Sequence, residues 1–237
     1  MEFFFSNMIN KDLIELDSIE SKHCMRVLRK TIGDSVNVVD GKGNLYKGDI
    51  VSSINKNCKI KIREVVKDFN KKDYYIHIGI SPIKNHDRIE WFIEKSIEIG
   101  VDEISFIKCE RTLRKKIKID RLLRTAISAM KQTLKAKIPK INDIISFEEF
   151  ILKSKQIDNF ICHLEDSERG DLFQFEKSIK NNQRSCVLIG PEGDFTLNEI
   201  NLSKKYKFKS ITLGESRLRT ETAGIVSCNL LNLIHLR

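Results

Sequence analysis

The sequence predicts an α/β protein in which a mostly parallel sheet, covered on both faces by helices, follows a small β-rich module. Three observations carry this. From residue 74 onward strand-like and helix-like segments alternate, as they do when crossover helices cover a parallel sheet. Between Asp34 and Val66 the pattern instead has period two, with turn-forming residues separating the runs. The 237 residues are 41% hydrophobic, enough for one large domain or two unequal ones and too apolar for a disordered tail.

Taken in order, the first helix is expected from about Ile19 to Leu28 with Ser18 as its N-cap. Val36 and Val38 alternate with polar neighbours, and Cys58, Ile60 and Ile62 alternate with Lys59, Lys61 and Arg63, so each run reads as a half-buried strand. Between them Asp40-Gly41-Lys42-Gly43 tolerates the positive φ of a tight hairpin. The charge-dense stretch 67–73 reads as a linker, dividing the chain into residues 1–70 and 73–237. YYIHIGISP then makes a strand ending at Pro82, and Asp87 with Glu90 resembles a capping box. Ile89, Phe92, Ile93, Ser96 and Ile97 follow at helical spacing until Gly100 stops the helix. VDEISFIKC is a strand, and Asp120 caps a helix with Leu122, Leu123, Ala126, Ile127 and Met130 on one face. Strands NFICHL (159–164) and SCVLIG (185–190), a Thr196/Glu199 capping box, strand SITLG (210–214) and a helix from about Thr220 to Leu236 complete the pattern.

Several function classes are excluded. No run approaches the roughly 20 apolar residues of a membrane span, and Phe3–Phe5 lacks the basic flank of a signal peptide. The six cysteines stand singly, without a CxxC pair or a histidine to complete a zinc site, so they read as reduced thiols of a cytoplasmic protein that needs no metal. Dinucleotide, NTP, serine-hydrolase and zinc-protease motifs are all missing. A formal charge of +9 favours a polyanionic partner.

In an open α/β sheet a ligand binds beyond the carboxyl ends of the strands. Two segments fall there. IGPEGDFTLNE (189–199) runs from an apolar strand through Gly190, Pro191 and Gly193 into a helix, with Glu192 the carboxylate held in the turn. Its glycines let a ligand approach the backbone, although a plain strand-to-helix turn explains them as well. LGESRLRTETAGIV (213–226) places Arg217 and Arg219 beside the sheet's end, where arginine can clamp an anion or pair structurally with Glu221. Lys22, Arg26, Arg29 and Lys30 fall at i, i+4, i+7 and i+8, one basic helix face. With Arg111, Arg114, Lys115, Lys116 and Lys118 this face would track phosphates; the plainer alternative is a solvated surface.

RVLR (26–29), IEKSIEIGVDEI (93–104) with ER (110–111), IGPEG (189–193) and LRTETA (218–223) together resemble the RsmE family, S-adenosylmethionine-dependent methyltransferases of the SPOUT class. The likeness runs in order over nearly the whole chain. It implies a PUA-like, RNA-binding β-barrel over residues 1–70 and a SPOUT domain over 73–237 whose last segment is threaded as a trefoil knot. It also implies a homodimer, in keeping with the apolar last helix. The implied reaction methylates N3 of one uridine in 16S ribosomal RNA, within the small subunit.

The resemblance further implies that three loops cradle S-adenosylmethionine: Leu164; Leu188, Ile189, Gly190, Pro191, Glu192 and Gly193; and Leu213, Gly214, Ser216, Leu218, Arg219 and Thr220. Arg219 becomes the leading catalytic residue, with Glu192 or Glu221 to take the N3 proton. RNA contacts are expected from Lys22, Arg26, Arg29, Lys30, Arg111, Arg114 and Lys131. The chain departs from the family pattern at Asp194, usually glycine, at Glu215-Ser216, usually proline and arginine, and at Lys131, in place of glutamate. Two rival readings are an RNA-binding protein without catalysis and a SPOUT methyltransferase acting elsewhere on RNA, such as a ribose 2'-hydroxyl.

Overall fold

The computed structural model describes residues 2–54, 57–154, 158–165 and 168–237. The chain divides into two compact units, Met1–Lys71 with Ile127–Ile138, and Lys72–Ala126 with Pro139–Arg237.

In the first unit, strands β1 (Phe3–Phe5), β2 (Met8–Asn10), β3 (Leu13–Glu15), β4 (Ser35–Val39), β5 (Leu45–Ile54) and β6 (Asn57–Val66) form one sheet of order β1-β4-β5-β6-β3-β2. Only β1 and β4 pair in parallel. The sheet curls into half a barrel, and bulges in the β5–β6 pair add to its twist. Its end strands β1 and β2 do not pair with each other among the described residues, so the expected barrel is not closed by hydrogen bonds. Phe4, Ile14, Leu16, Val36, Val38, Ile50 and Ile60 fill its core with the thiols of Cys24 and Cys58. The hairpin at Asp40 forms as expected, its carboxylate accepting from the amides of Lys42 (2.7 Å) and Asn44 (3.0 Å).

Two local expectations are corrected here. Helix α1 (Ser18–Lys22) is capped by Asp17, not Ser18, and then widens into a π turn at His23–Val27. Arg29 stands at φ +54° beyond it, so Lys22, Arg26, Arg29 and Lys30 do not share one helical face. The stretch expected as a linker, 67–73, contains the boundary between the units at Lys71/Lys72, and within it Phe69 packs edge-on against Phe3 while its amide donates to the Gly43 carbonyl (2.8 Å).

In the second unit, β7 (Tyr75–Ile80), β8 (Glu103–Lys108), β9 (Lys140–Ser146), β10 (Asp158–Cys162), β11 (Arg184–Ile189) and β12 (Lys209–Ile211) form a wholly parallel sheet of order β12-β10-β11-β7-β8-β9. Helices α2 (His86–Ile99), α3 (Ile119–Gln132), α4 (Phe147–Lys153), α5 (Glu176–Asn182), α6 (Leu197–Lys205) and α7 (Thr220–Leu236) connect or follow the strands, and the boundary between the units falls within α3. Alternation along β11 serves both faces: Cys186 and Leu188 pack with Phe147, Phe150 and Ile200 of α4 and α6, leaving Val187 and Ile189 to the other side. There α7 lies against α2 so closely that a Cβ at Gly224 would come within 2.5 Å of the Phe92 ring. Asn85 rather than Asp87 caps α2, and Asp120 sits inside the first turn of α3 instead of preceding it. Among the described residues no helix is long and apolar enough to cross a membrane.

Candidate active site

The strands end at one edge, and the loops that follow β10, β11 and β12 converge on a cavity of about 670 Å³, well within the range of small-ligand sites. Of the residues expected in the three loops, all but Leu188 line this cavity; Leu188 points into the core behind it. Arg88, in the first turn of α2, reaches the same cavity from a helix that carries no motif for it.

Side-chain bonds fix the loops to one another. The Thr220 hydroxyl, at the start of α7, donates to the Gly190 carbonyl (3.1 Å). Asp194 stands at φ +61°, a conformation that glycine adopts freely and aspartate tolerates better than most residues. Its carboxylate accepts from the Leu164 amide (2.7 Å) and the Phe195 amide (2.8 Å), joining the loop after β10 to the loop after β11. Substituting aspartate for glycine thus keeps the left-handed turn and adds a cross-tie. Gly190 has a different reason from the one the sequence offered: a Cβ there would meet the Phe195 ring at 3.0 Å, so the protein's own packing uses that space. At Gly214, φ +117° demands glycine and a Cβ would meet nothing, so the third loop stays open toward the cavity.

The cavity carries both charges. Arg217 and Arg219 are exposed on its rim, and no ion pair holds either among the described residues. Arg219 is the N-cap residue of α7, its carbonyl accepting from Ala223 N (2.8 Å) while its side chain stays free of capping. The considered pairing with Glu221 does not occur. Glu221 is buried and faces the Arg88 guanidinium at 3.6 Å. Glu192 is exposed, with only a long contact (3.4 Å) from the Lys84 amide. His163 lines the cavity almost wholly buried, and neither ring nitrogen has a hydrogen-bond partner among the described residues. Burial pushes its pKa down against the pull of Asp194, and pushes the neighbouring Cys162 thiol up to about 12.

The basic residues divide differently from the sequence expectation. Arg111 Nη1 donates to the Gly193 carbonyl (2.7 Å), and Arg114 Nε donates to the Ile83 carbonyl (2.9 Å) with its fork also reaching Lys84 O. Lys131 is paired with the buried Glu20. Lys22, Arg26 and Arg29 are exposed and Lys30 half-buried. Among the described residues no group of His, Cys, Asp and Glu could hold a metal.

Two domain families match the chain: an RNA methyltransferase PUA domain over residues 16–63 and an RNA methyltransferase domain over residues 70–232. A ribosomal RNA small subunit methyltransferase E from Mesomycoplasma hyopneumoniae is 33% identical over 74% of this chain and 77% of its own. Among solved structures, a probable rRNA-methyltransferase from Porphyromonas gingivalis superposes with a TM-score of 0.91 at 35% identity, covering 100% of this chain and 99% of its own. A putative methyltransferase from Legionella pneumophila, solved with the bound cofactor SAM, gives 0.83 at 25% identity over 98% and 96%. With its motifs, its two matched domains and its parallel sheet in agreement, the chain belongs to the RNA methyltransferase family that includes the RsmE enzymes.

Proposed function

We propose that this protein transfers a methyl group from S-adenosylmethionine to N3 of a uridine in 16S ribosomal RNA, with the small subunit as its setting in the cytoplasm. The observation that carries the reading is the convergence of the loops after β10, β11 and β12 on one cavity with two unpaired arginines at its rim. S-adenosylmethionine fits this place. The cavity is large enough, the Gly214 turn leaves backbone within reach, and carboxylates and guanidinium groups stand together to meet a ligand that carries both charges. Leu164, Ile189 to Gly193 and Leu213 to Thr220 would hold it, with Leu188 acting from behind through packing.

When bound, the cofactor supplies a methyl group activated by its sulfonium. The chain's own residues then have two tasks. Arg219, free on the rim, would aim its planar fork at the uracil oxygens and hold the negative charge that gathers there once the N3 proton is removed. Glu192 is the freer acceptor for that proton, because Glu221 is tied to Arg88.

Residues 1–70 would serve as the PUA-like RNA-binding domain, with Lys22, Arg26, Arg29 and Lys30 as phosphate contacts, and 73–237 as the donor-binding domain. We also infer the trefoil threading, supported by the return of the chain from β12 to place Thr220 against Gly190. A homodimer is supported by Leu233 and Leu236 of α7 and Trp91 of α2, large apolar side chains left exposed.

Calorimetry with S-adenosylmethionine, followed by mass mapping of ribosomal RNA from a deletion strain, tests the reading. Donor binding and loss of one N3-methyluridine from 16S RNA are expected. RNA binding without donor binding would assign the non-catalytic alternative, and a lost ribose methyl the other SPOUT target.

A further inference from the structure

The segment that leaves β8 is built unlike an ordinary surface loop. From Arg111 to Ile119 it holds five basic residues and no carboxylate. It has no regular secondary structure up to α3, yet side chains pin it repeatedly. Buried Thr112 bonds to Ser81 Oγ (2.8 Å) and accepts from the Cys109 amide (2.8 Å). Arg111 is spent on the Gly193 carbonyl, and Arg114 on the carbonyls of Ile83 and Lys84. Two of the five cations are therefore engaged by backbone carbonyls, Arg111 at a residue of the cavity. Lys115, Lys116 and Lys118 are exposed, and no ion pair engages them among the described residues.

We propose that Leu113–Lys118 is a preformed phosphate dock of the methyltransferase unit, gripping the RNA backbone through Lys115, Lys116 and Lys118, while Arg111 and Arg114 position the segment and touch no RNA. This rests on the RNA-methyltransferase reading. A base delivered into the cavity carries its own flanking phosphates to the rim. Beyond the arginines of the rim itself, Lys115, Lys116 and Lys118 belong to a segment bonded directly to Gly193, a residue of that cavity. Because the segment is held at Thr112, at Arg114 and at the Lys118 carbonyl, which accepts from the Arg121 and Leu122 amides, part of the ordering cost is met before the binding step. The acidic residues nearby, Asp120 and Asp143, share a separate hollow with Lys118 and Arg124 and bound the dock on that side.

The test uses the full chain, a uridine-containing single-stranded oligoribonucleotide followed by fluorescence anisotropy across salt, and S-adenosylmethionine followed by calorimetry. Replacing Lys115, Lys116 and Lys118 together by Ala should lower the slope of log affinity against log salt by about 2, at roughly 0.7 per phosphate, with donor affinity unchanged. Arg114→Ala should weaken RNA binding on the order of tenfold by loosening the segment, leave the slope as in the wild type, and not be rescued by Arg114→Lys, whose ammonium lacks the fork. A wild-type slope in the triple variant, or a slope in Arg114→Ala reduced like that of one lysine, would overturn the proposal. Protein that bound donor but no RNA would also sink the dock, whereas RNA binding with the expected slopes but no donor binding would uphold it and reject the methyltransferase reading instead.

Discussion

Asp194 shows how one side chain can replace the conformational freedom of glycine while adding a bond of its own. Its two accepted amide bonds span two cavity loops. Asp194→Ala removes both and leaves a Cβ-bearing residue at φ +61° without local polar support, so donor affinity should fall by about tenfold and stability by roughly 1–2 kcal/mol. Asp194→Gly relieves the backbone and should recover most of the stability but little of the affinity; equal recovery of both in paired calorimetry and urea melts would show that only the turn matters. Arg219 is the complementary case, exposed and unpaired. Arg219→Lys keeps the charge but loses the fork, and turnover is expected to drop about a hundredfold with donor binding retained. Stable Arg219→Ala protein with near-normal turnover would shift attention to Arg217. The place of the Arg219 turn, at the end of the sheet and beside the cavity, was legible in the run of residues around it. Arg88 was not, because its relation to Glu221 arises only when α2 packs beside α7 and no local spacing encodes that.

Among the elements, α6 and α7 were the most legible. The Thr196–Glu199 capping box is present with both of its bonds, and α7 spans Thr220–Leu236 as its apolar run indicates. Thr196→Ala should cost about 1 kcal/mol in a denaturant melt. The first helix misled because a π turn shifts the register of everything after Lys22, and periodicity arithmetic assumes a constant pitch. Strand β9 and helices α4 and α5 are not legible in the sequence, for a simpler reason. β9 has no fully buried side chain, and seven residues are too few for a helical repeat to declare itself. The loop after β11 repays a sharper experiment. Gly190→Ala forces a Cβ against Phe195 and should destabilise the fold by about 1–3 kcal/mol, with Gly190→Val worse. A stable Gly190→Ala protein that lost donor affinity would instead place the ligand in that space.

The whole molecule inherits a pH dependence from a histidine remote from the cavity loops. His77 on β7 is buried beside Ser105 (2.8 Å from Nε2), and burial lowers its pKa from 6.5 to about 4 despite the Glu103 carboxylate. The unfolded chain therefore takes up a proton near pH 6.5 that the folded protein accepts only near pH 4. Stability is full above about pH 6.5 and is lost as pH falls through that window, by up to about 3 kcal/mol. Burial of His163 acts in the same sense. Urea midpoints at pH 7.5 and 5 should show the decline, and His77→Gln should flatten it; parallel curves for the two proteins would place its origin elsewhere. Sedimentation at increasing concentration should reveal a dimer that charged replacements at Leu233 and Leu236 dissociate.

The alternation of strands and helices made the parallel sheet legible, but not its order, because nothing local to β11 announces that it pairs with β7 and β10. That order bears on the protein's birth. A nascent chain leaves the ribosome from its amino end, so Tyr75–Ile80 emerges early and must wait for Arg184–Ile189, more than a hundred residues later, before its second edge is covered. Throughout that interval an apolar strand stands with one side unpaired, an invitation to misassociation that only synthesis of the later strands withdraws. Slow translation between β8 and β11 would lengthen the exposure, so the yield of folded protein should depend on chaperone supply more steeply than on the stability of the finished molecule.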